Sequence, residues 1–274
     1  MRGKTEQASS PSRQRKIHLL PTSPAASDFL LDPPAFAARI ERVAVAAGFR
    51  IERFGAIAGT PLLALTRRTV GPRPRIYLSA GIHGDEPAGP LALLDCLEAG
   101  AFDARATWFI CPLLNPAGFV RRSRENADGI DLNRDYKALR SLEIRAHARW
   151  LQRQPNFALA LCLHEDWESH GYYLYELNPE NRPTLAPAIL EAVEKICPVE
   201  TATIIDGREI ALRGIIRPLH DPALRDLWPE SIYLRAHHTR LSYTLETPSA
   251  LPLPQRVAAH RAAVVAALTT ALGT

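Results

Sequence analysis

The chain has 274 residues, of which 46% are hydrophobic and 23% charged, a balance typical of a globular protein with a substantial core. Residues 1–16 carry five basic residues and one acidic residue, which accounts for the whole formal net charge of +4. The remainder is formally neutral, so the basicity gives no argument for nucleic-acid binding by a folded domain.

The first residues and the cysteines bear on compartment and domain organisation. Residues 1–16 are predicted to form a disordered basic tail, and residues 17–274 a single folded domain. The start of the chain lacks the apolar segment of a secretory signal, and no apolar run approaches the ~18 residues of a membrane-spanning helix. The four cysteines are widely spaced and form no Cys-x-x-Cys motif. These features predict a cytoplasmic protein without a membrane partner.

Hydrophobic periodicity predicts an alternation of strands and helices. In chain order we expect a helix over 33–47, strands over 49–54, 61–66 and 76–80, a helix over 88–98, a strand over 107–114, a helix over 141–152, strands over 157–163 and 241–245, and a helix over 254–272. This order predicts a single α/β domain, with a mixed, mostly parallel sheet flanked by helices.

Polar residues with chemical potential follow several of these strands. His83, Glu86, Asn115, His164 and Glu246 all fall at or just after a predicted carboxyl end. Open α/β sheets bind their ligands at that edge, so these residues are expected to converge. Two imidazoles and one carboxylate are a common ligand set of catalytic zinc.

The motifs, taken together and in order, resemble those of the zinc carboxypeptidase family. The matching elements are His83-x-x-Glu86, Asn115-Pro116-Ala117-Gly118, Arg124-Glu125-Asn126, Asp131-Leu132-Asn133-Arg134, Leu163-His164 and Thr244-Leu245-Glu246. The resemblance covers residues 76–249 by motif, and it implies that residues 17–274 form a zinc carboxypeptidase-like catalytic domain. The ordered set is far more specific than its first pair.

Each element is expected to have a role in one hydrolytic reaction. His83, Glu86 and His164 would hold one Zn²⁺ and leave a fourth position open for water. Glu246 would act as the general base and return the proton to the leaving amine.

The resemblance supplies the remaining assignments. It places Arg124, rather than Arg121 or Arg122, beside the developing oxyanion. It also implies that Asn133 and Arg134 bind the free carboxylate of the substrate, for which a planar guanidinium is well suited.

Taken singly, these residues have ordinary explanations. A lone histidine is more often a core or loop residue, and Glu86 could be a first-turn acid favoured by the helix dipole. The acidic and aromatic segment 164–173 is open to two interpretations: it lines the pocket, with Glu165, Asp166 and His170 orienting His164, or it is a solvated loop. The pair His237-His238 is set aside, because neighbours on a strand point to opposite faces.

We therefore predict a cytoplasmic zinc metallocarboxypeptidase that cleaves the C-terminal amide bond of small peptides. One alternative is an N-acyl amino acid deacylase like succinylglutamate desuccinylase and aspartoacylase, which share the zinc ligands, the base and an Asn-Arg pair. Another is a catalytically silent zinc-binding interaction module, which would not require Glu246. The secreted digestive members of the zinc carboxypeptidase family have a mobile tyrosine on the substrate side. Tyr233 and Tyr243 are the candidates for it here, although neither has the spacing found in those members. The oligomeric state is left open.

Overall fold

The computed structural model describes residues 31–219 and 221–273, so the tail predicted over residues 1–16 lies outside the described residues. Strands in the described part form an eight-stranded sheet and a separate two-stranded one. They are β1 (Arg50–Ile57), β2 (Thr60–Arg67), β3 (Arg75–Ala80), β4 (Thr107–Cys111), β5 (Leu159–Asp166), β6 (Tyr173–Leu177), β7 (Ile204–Ile205), β8 (Arg208–Glu209), β9 (Ile215–Ile216) and β10 (Ser242–Pro248).

The large sheet has the strand order β1-β2-β4-β3-β5-β10-β6-β9. Its four central strands, β4, β3, β5 and β10, are parallel, so their carboxyl ends meet at one edge. The hairpin of β1 and β2 joins one side in antiparallel pairing, and β6 joins the other side antiparallel to β10. The predicted α/β class with a mixed sheet is confirmed.

Helices cover both faces of this sheet. They are α1 (Pro33–Ala46), α2 (Ala88–Glu98), α3 (Pro116–Arg121), α4 (Leu142–Leu151), α5 (Ala186–Glu194), α6 (Glu230–His237) and α7 (Leu253–Leu272). One buried core lies between the sheet and α1, α2, α5 and α7, and a second lies between the sheet and α4 and α6. The central strands are apolar on both faces because both faces are covered, as for Tyr77 and Leu78 on opposite sides of β3.

Each predicted element, up to residue 163 and again from residue 241, corresponds to an element of the structure. The region between is richer than predicted, because α5, α6 and four short strands lie there, and α3 was also missed. His164 and Glu246 lie among the last residues of β5 and β10, because both strands extend further than predicted. His237 ends α6 rather than lying on a strand, so that expectation was wrong. Among the described residues, no helix is both long and apolar enough to cross a membrane.

Candidate metal centre and substrate pocket

The turn after β3 is held against the end of β4 by close backbone contacts. Gly81 has φ +65°, and its carbonyl accepts hydrogen bonds from the N–H groups of Leu114 (3.1 Å) and Asn115 (2.8 Å). Gly84 lies so close to α3 that a Cβ at this position would be 2.0 Å from the carbonyl carbon of Gly118. Glycine is therefore required at position 81 by the backbone conformation and at position 84 by the lack of space for a Cβ. The turn that carries His83 thus has a fixed position.

His83, Glu86 and His164 form a buried cluster at the carboxyl edge of the sheet. Their ligand atoms all lie within 4.8 Å of one another. The Nδ1 of His83 is 2.6 Å from Oε1 of Glu86, and the Nδ1 of His164 is 3.0 Å from Oε2 of the same carboxylate. Two imidazole nitrogens and a carboxylate thus face a common point.

Asp131 holds the other side of the His83 ring. Its Oδ1 is 3.2 Å from Nε2 of His83 and accepts a 2.9 Å hydrogen bond from the backbone N–H of Asn133. Its Oδ2 accepts a 3.0 Å hydrogen bond from Nε of Arg124. An Nε2–H donated to this carboxylate leaves the Nδ1 lone pair free to bind a metal, the arrangement usual for histidine ligands. Asp131 belongs to one of the sequence motifs, but its role at His83 could not be predicted from the motif.

The donor set fits a metal ion. Burial disfavours a charged imidazole, but Glu86 and Asp131 outweigh it and raise the pKa of His83. Burial likewise disfavours a charged Glu86, yet the two imidazoles lower the pKa of its carboxyl group. The cluster thus stabilises positive charge where its three ligand atoms converge, and the ligand types are those of catalytic zinc sites.

Glu246 lies beside this cluster because of strand register. The parallel pairing of β10 with β5 places Glu246 directly opposite His164. Burial raises the pKa of Glu246 to about 8, and the nearby carboxylates of Glu86 and Asp166 add to the effect. A cation in the cluster would lower that pKa and favour the carboxylate form that can accept a proton.

A cavity of about 620 Å³ opens from the cluster to the surface. All seven site residues predicted from the sequence line it: His83, Glu86, Arg124, Asn133, Arg134, His164 and Glu246. The structure thus brings together residues that are up to 163 positions apart in the chain.

Arg124 is distinguished from its neighbours by position. Its NH1 group lies 3.6 Å from Oε1 of Glu86, and Asp131 fixes its Nε. Arg121 and Arg122 are exposed and do not line the cavity, and Arg121 instead donates to the carbonyl of Ala127. The preference for Arg124 agrees with this geometry.

Asn133 and Arg134 lie in a short 3-10 turn, Leu132–Arg134, capped by Asp131. Oδ1 of Asn133 accepts a 2.8 Å hydrogen bond from the backbone N–H of Glu230. Arg134 is half-buried, and its NH1 donates to the Asn133 carbonyl at 2.9 Å.

The tyrosines at the pocket were not those considered from the sequence. Tyr243 is buried away from the cavity, and its hydroxyl donates to Glu176. Tyr233 belongs to α6 and packs in the core between that helix and the sheet. Tyr173 and Tyr175, two residues apart on the same face of β6, line the cavity instead. The acidic and aromatic segment 164–173 was the signal for Tyr173, and Tyr175 lies just beyond that segment.

Two acids proposed to orient His164 have other partners. Glu165 accepts hydrogen bonds from the backbone N–H of Ala88 (2.6 Å) and from Arg256, because adjacent residues of β5 point to opposite faces. Asp166 accepts a 2.9 Å hydrogen bond from the hydroxyl of Tyr173. The interpretation that both acids orient His164 is therefore wrong, while the interpretation that this segment lines the pocket agrees with the cavity.

Both the sequence and the fold of this chain are similar to those of known proteins. The model of the succinylglutamate desuccinylase/aspartoacylase catalytic domain matches residues 72–269. A provisionally assigned metallopeptidase from Shewanella amazonensis is 26% identical with a TM-score of 0.76, over 87% of this chain and 93% of that protein. A metallo-carboxypeptidase from Burkholderia cenocepacia shares the fold at 20% identity and a TM-score of 0.67, over 86% of this chain and 68% of that one.

A shorter similarity involves a plant protein. Carboxypeptidase SOL1 from Arabidopsis thaliana is 32% identical over 112 residues, which represent 33% of this chain. The match spans only 23% of the length of the plant protein.

Proposed function

Because the chain belongs to the succinylglutamate desuccinylase/aspartoacylase catalytic-domain family, we propose that it is a zinc-dependent amide hydrolase, and specifically a metallocarboxypeptidase. The substrate would be a small peptide with a free terminal carboxylate. One observation carries this proposal: three metal-ligand side chains, a buried glutamate and three groups suited to binding anions line a single cavity.

A zinc ion held by His83, Glu86 and His164 would polarise the scissile carbonyl and lower the pKa of water towards neutrality. Glu246 would take the proton from water and return it to the leaving amine. Its buried position opposite His164 keeps a proton acceptor of raised pKa beside the reacting atoms.

The other pocket residues would stabilise the negative charges of the developing oxyanion and of the substrate carboxylate. Arg124, held by Asp131, would place a fixed cation near the developing oxyanion, where it acts more strongly on the transition state than on the ground state. Arg134 and the amide N–H groups of Asn133 would bind the terminal carboxylate. Together these contacts would orient the last amide bond of the chain at the metal.

The mouth of the cavity favours a peptide. Trp167, Leu219, Leu224 and Leu227 line it, and each is more than half exposed. Exposed apolar side chains around a polar pocket suit a substrate that extends outwards and carries apolar groups. A small acyl amino acid would leave this rim uncovered.

A second candidate, the N-acyl amino acid deacylase, is favoured by the family itself and by two additional arginines. Arg208 and Arg225 line the same cavity as Arg134. Partial burial and the repulsion of the other two guanidinium groups lower the pKa of Arg225. Such crowding of cations would be relieved by a substrate with more than one carboxylate, such as an N-succinyl amino acid.

The zinc-loaded protein should be incubated with a mixed pool of short peptides and N-acyl amino acids, and the products identified by mass spectrometry. We expect loss of single C-terminal residues from the peptides, with activity reduced about 10²–10⁴-fold in Glu246→Gln while zinc stays bound. Release of free amino acids from N-acyl compounds alone would instead establish the deacylase. Absence of turnover of both the peptides and the N-acyl amino acids, with zinc bound, would favour the silent interaction module.

A further inference from the structure

Glu230 is a buried acid that has no part in the proposed reaction. It is the first residue of α6 and is 1% exposed. Its Oε1 accepts a 2.6 Å hydrogen bond from the hydroxyl of Tyr77, and its Oε2 accepts a 2.8 Å hydrogen bond from the hydroxyl of Ser79. Both donors belong to β3, the strand that leads into the metal-binding turn, so this carboxylate anchors the start of α6 to the sheet.

The backbone of the same residue reaches the pocket. The N–H of Glu230 donates to Oδ1 of Asn133 at 2.8 Å, across 97 positions of sequence. Because a backbone N–H can only donate, the oxygen of the Asn133 amide must face it, and the NH₂ group must point the other way. Among the described residues no acceptor binds that NH₂ group, although Asn133 lines the cavity.

Asn133 also completes the helix end. The residue before α6 is Pro229, which provides no side-chain cap, so the Asn133 oxygen satisfies an N–H group that the helix itself leaves unpaired. Pro229, Ser231 and Ile232 from this turn line the cavity as well. A movement of the first turn of α6 would therefore change both the wall of the pocket and the orientation of the Asn133 amide.

We infer that Glu230 is a positioning residue for the carboxylate-binding end of the pocket. Its side chain fixes the first turn of α6 on β3, and its N–H fixes Asn133 with the donor group directed at the substrate. This inference rests on the proposed role of Asn133 in binding the substrate carboxylate.

Glu230→Gln tests the inference, because an amide offers only one oxygen acceptor for the two hydroxyl donors. We expect the KM for a peptide substrate to rise about tenfold while kcat stays within about twofold, as for a loss of uniform substrate binding. Ser79→Ala removes only one of the two bonds and should raise KM in the same direction by a smaller factor. It keeps the inference testable if Glu230→Gln folds poorly.

A double-mutant cycle separates positioning from general damage. If Glu230 acts through Asn133, then Glu230→Gln should change KM less than about twofold in an Asn133→Ala background. The matched control is Glu143→Gln, because Glu143 is a buried acid of α4 that accepts from Asn126 and does not line the cavity. That control should leave KM unchanged. Independent, multiplicative effects of the two substitutions on KM would overturn the inference.

A second readout does not depend on turnover. Hydrogen exchange of the amide at position 230, followed by NMR, should be slow in the wild type and at least tenfold faster in Asn133→Ala and in Glu230→Gln. Unchanged protection in both variants would overturn the positioning role. If the wild type hydrolyses no carboxylate substrate, the proposed function fails, and the exchange data still decide whether Glu230 orders Asn133.

Discussion

Two buried histidines near β3 have opposite pKa shifts, because the groups around their rings differ. His83 faces two carboxylates, which raise its pKa against the effect of burial. His147 lies in the core beneath the sheet, and burial lowers its pKa to about 3. Both are at most 1% exposed, so burial alone does not tell a candidate ligand from a structural residue.

The hydrogen bonds around the two rings explain the difference. The hydroxyl of Tyr136 lies 2.7 Å from Nδ1 of His147, and Nε2 lies 3.0 Å from the hydroxyl oxygen of Tyr77, which itself donates to Glu230. One neutral tautomer satisfies this whole chain, with each proton pointing towards Glu230. Around Glu86, by contrast, two imidazole nitrogens and a carboxylate, all groups that can bind a metal ion, lie within 4.8 Å of one another. The His147 network is complete as it stands, whereas His83, Glu86 and His164, the three residues of the candidate metal cluster, are suited to bind a cation.

The largest expected effect comes from removing one ligand of the metal cluster. His164→Ala should lose zinc and reduce hydrolysis to background, because two remaining ligands do not form a stable site. In the wild type, zinc at 100 times its Kd should stabilise the fold by about 2.7 kcal/mol, and a chelator should reverse this. Thermal unfolding with and without zinc measures both effects.

His147→Gln is the matched control for that experiment. It should retain the zinc-dependent rise in Tm, since His147 does not contribute to the cluster. Loss of zinc binding in both variants would break the distinction between the two histidines.

Gly84→Ala should be the next most disruptive change. A Cβ would overlap the backbone of Gly118, and backbone cannot rotate away as a side chain can. We expect a decrease of about 3 kcal/mol in the free energy of unfolding, measured with urea, together with weaker zinc binding. Gly55→Ala provides the comparison, because its Cβ would meet only the side chains of Leu62 and Ala146 at 3.2–3.3 Å. Equal zinc affinity in both variants would contradict a rigid metal-binding turn.

The low pKa of His147 predicts a pH dependence of stability. Between the folded pKa of about 3 and the ordinary value of 6.5, the unfolded chain binds a proton that the folded protein does not. Lowering the pH from 7 to 5 should therefore cost the folded state about 2 kcal/mol through this residue. In chelator, urea unfolding of His147→Gln should vary less with pH than the wild type by that amount. Parallel pH profiles would show that His147 is not held neutral.

The smallest effect is expected at an exposed ion pair. Arg39 and Glu98 are 2.7 Å apart, and their side chains are 52% and 37% exposed. Arg39→Ala should change the free energy of unfolding by less than about 1 kcal/mol, because solvent screens such pairs. A loss of several kcal/mol in urea unfolding would show that surface charge, too, contributes strongly here.

The candidate site could be predicted from the sequence where local patterns sufficed. The strand end at 80 and the strands that reach His164 and Glu246 were visible as apolar runs followed by polar residues, and parallel strands bring such ends to one edge. The region 173–237 was poorly predicted because its strands are two to five residues long. Such segments have no measurable period, and tertiary contacts determine them.

The sequence by itself determined the α/β class, the order of the main elements and the residue types gathered at the metal cluster, because each depends on periodicity or on chemistry carried by single residues. Only the tertiary structure decided that Glu165 faces away from His164, that Tyr173 and Tyr175 line the cavity, and that Asp131 and Glu230 hold the pocket residues in place. These outcomes depend on strand register and on contacts across as many as 153 positions, which no local pattern specifies.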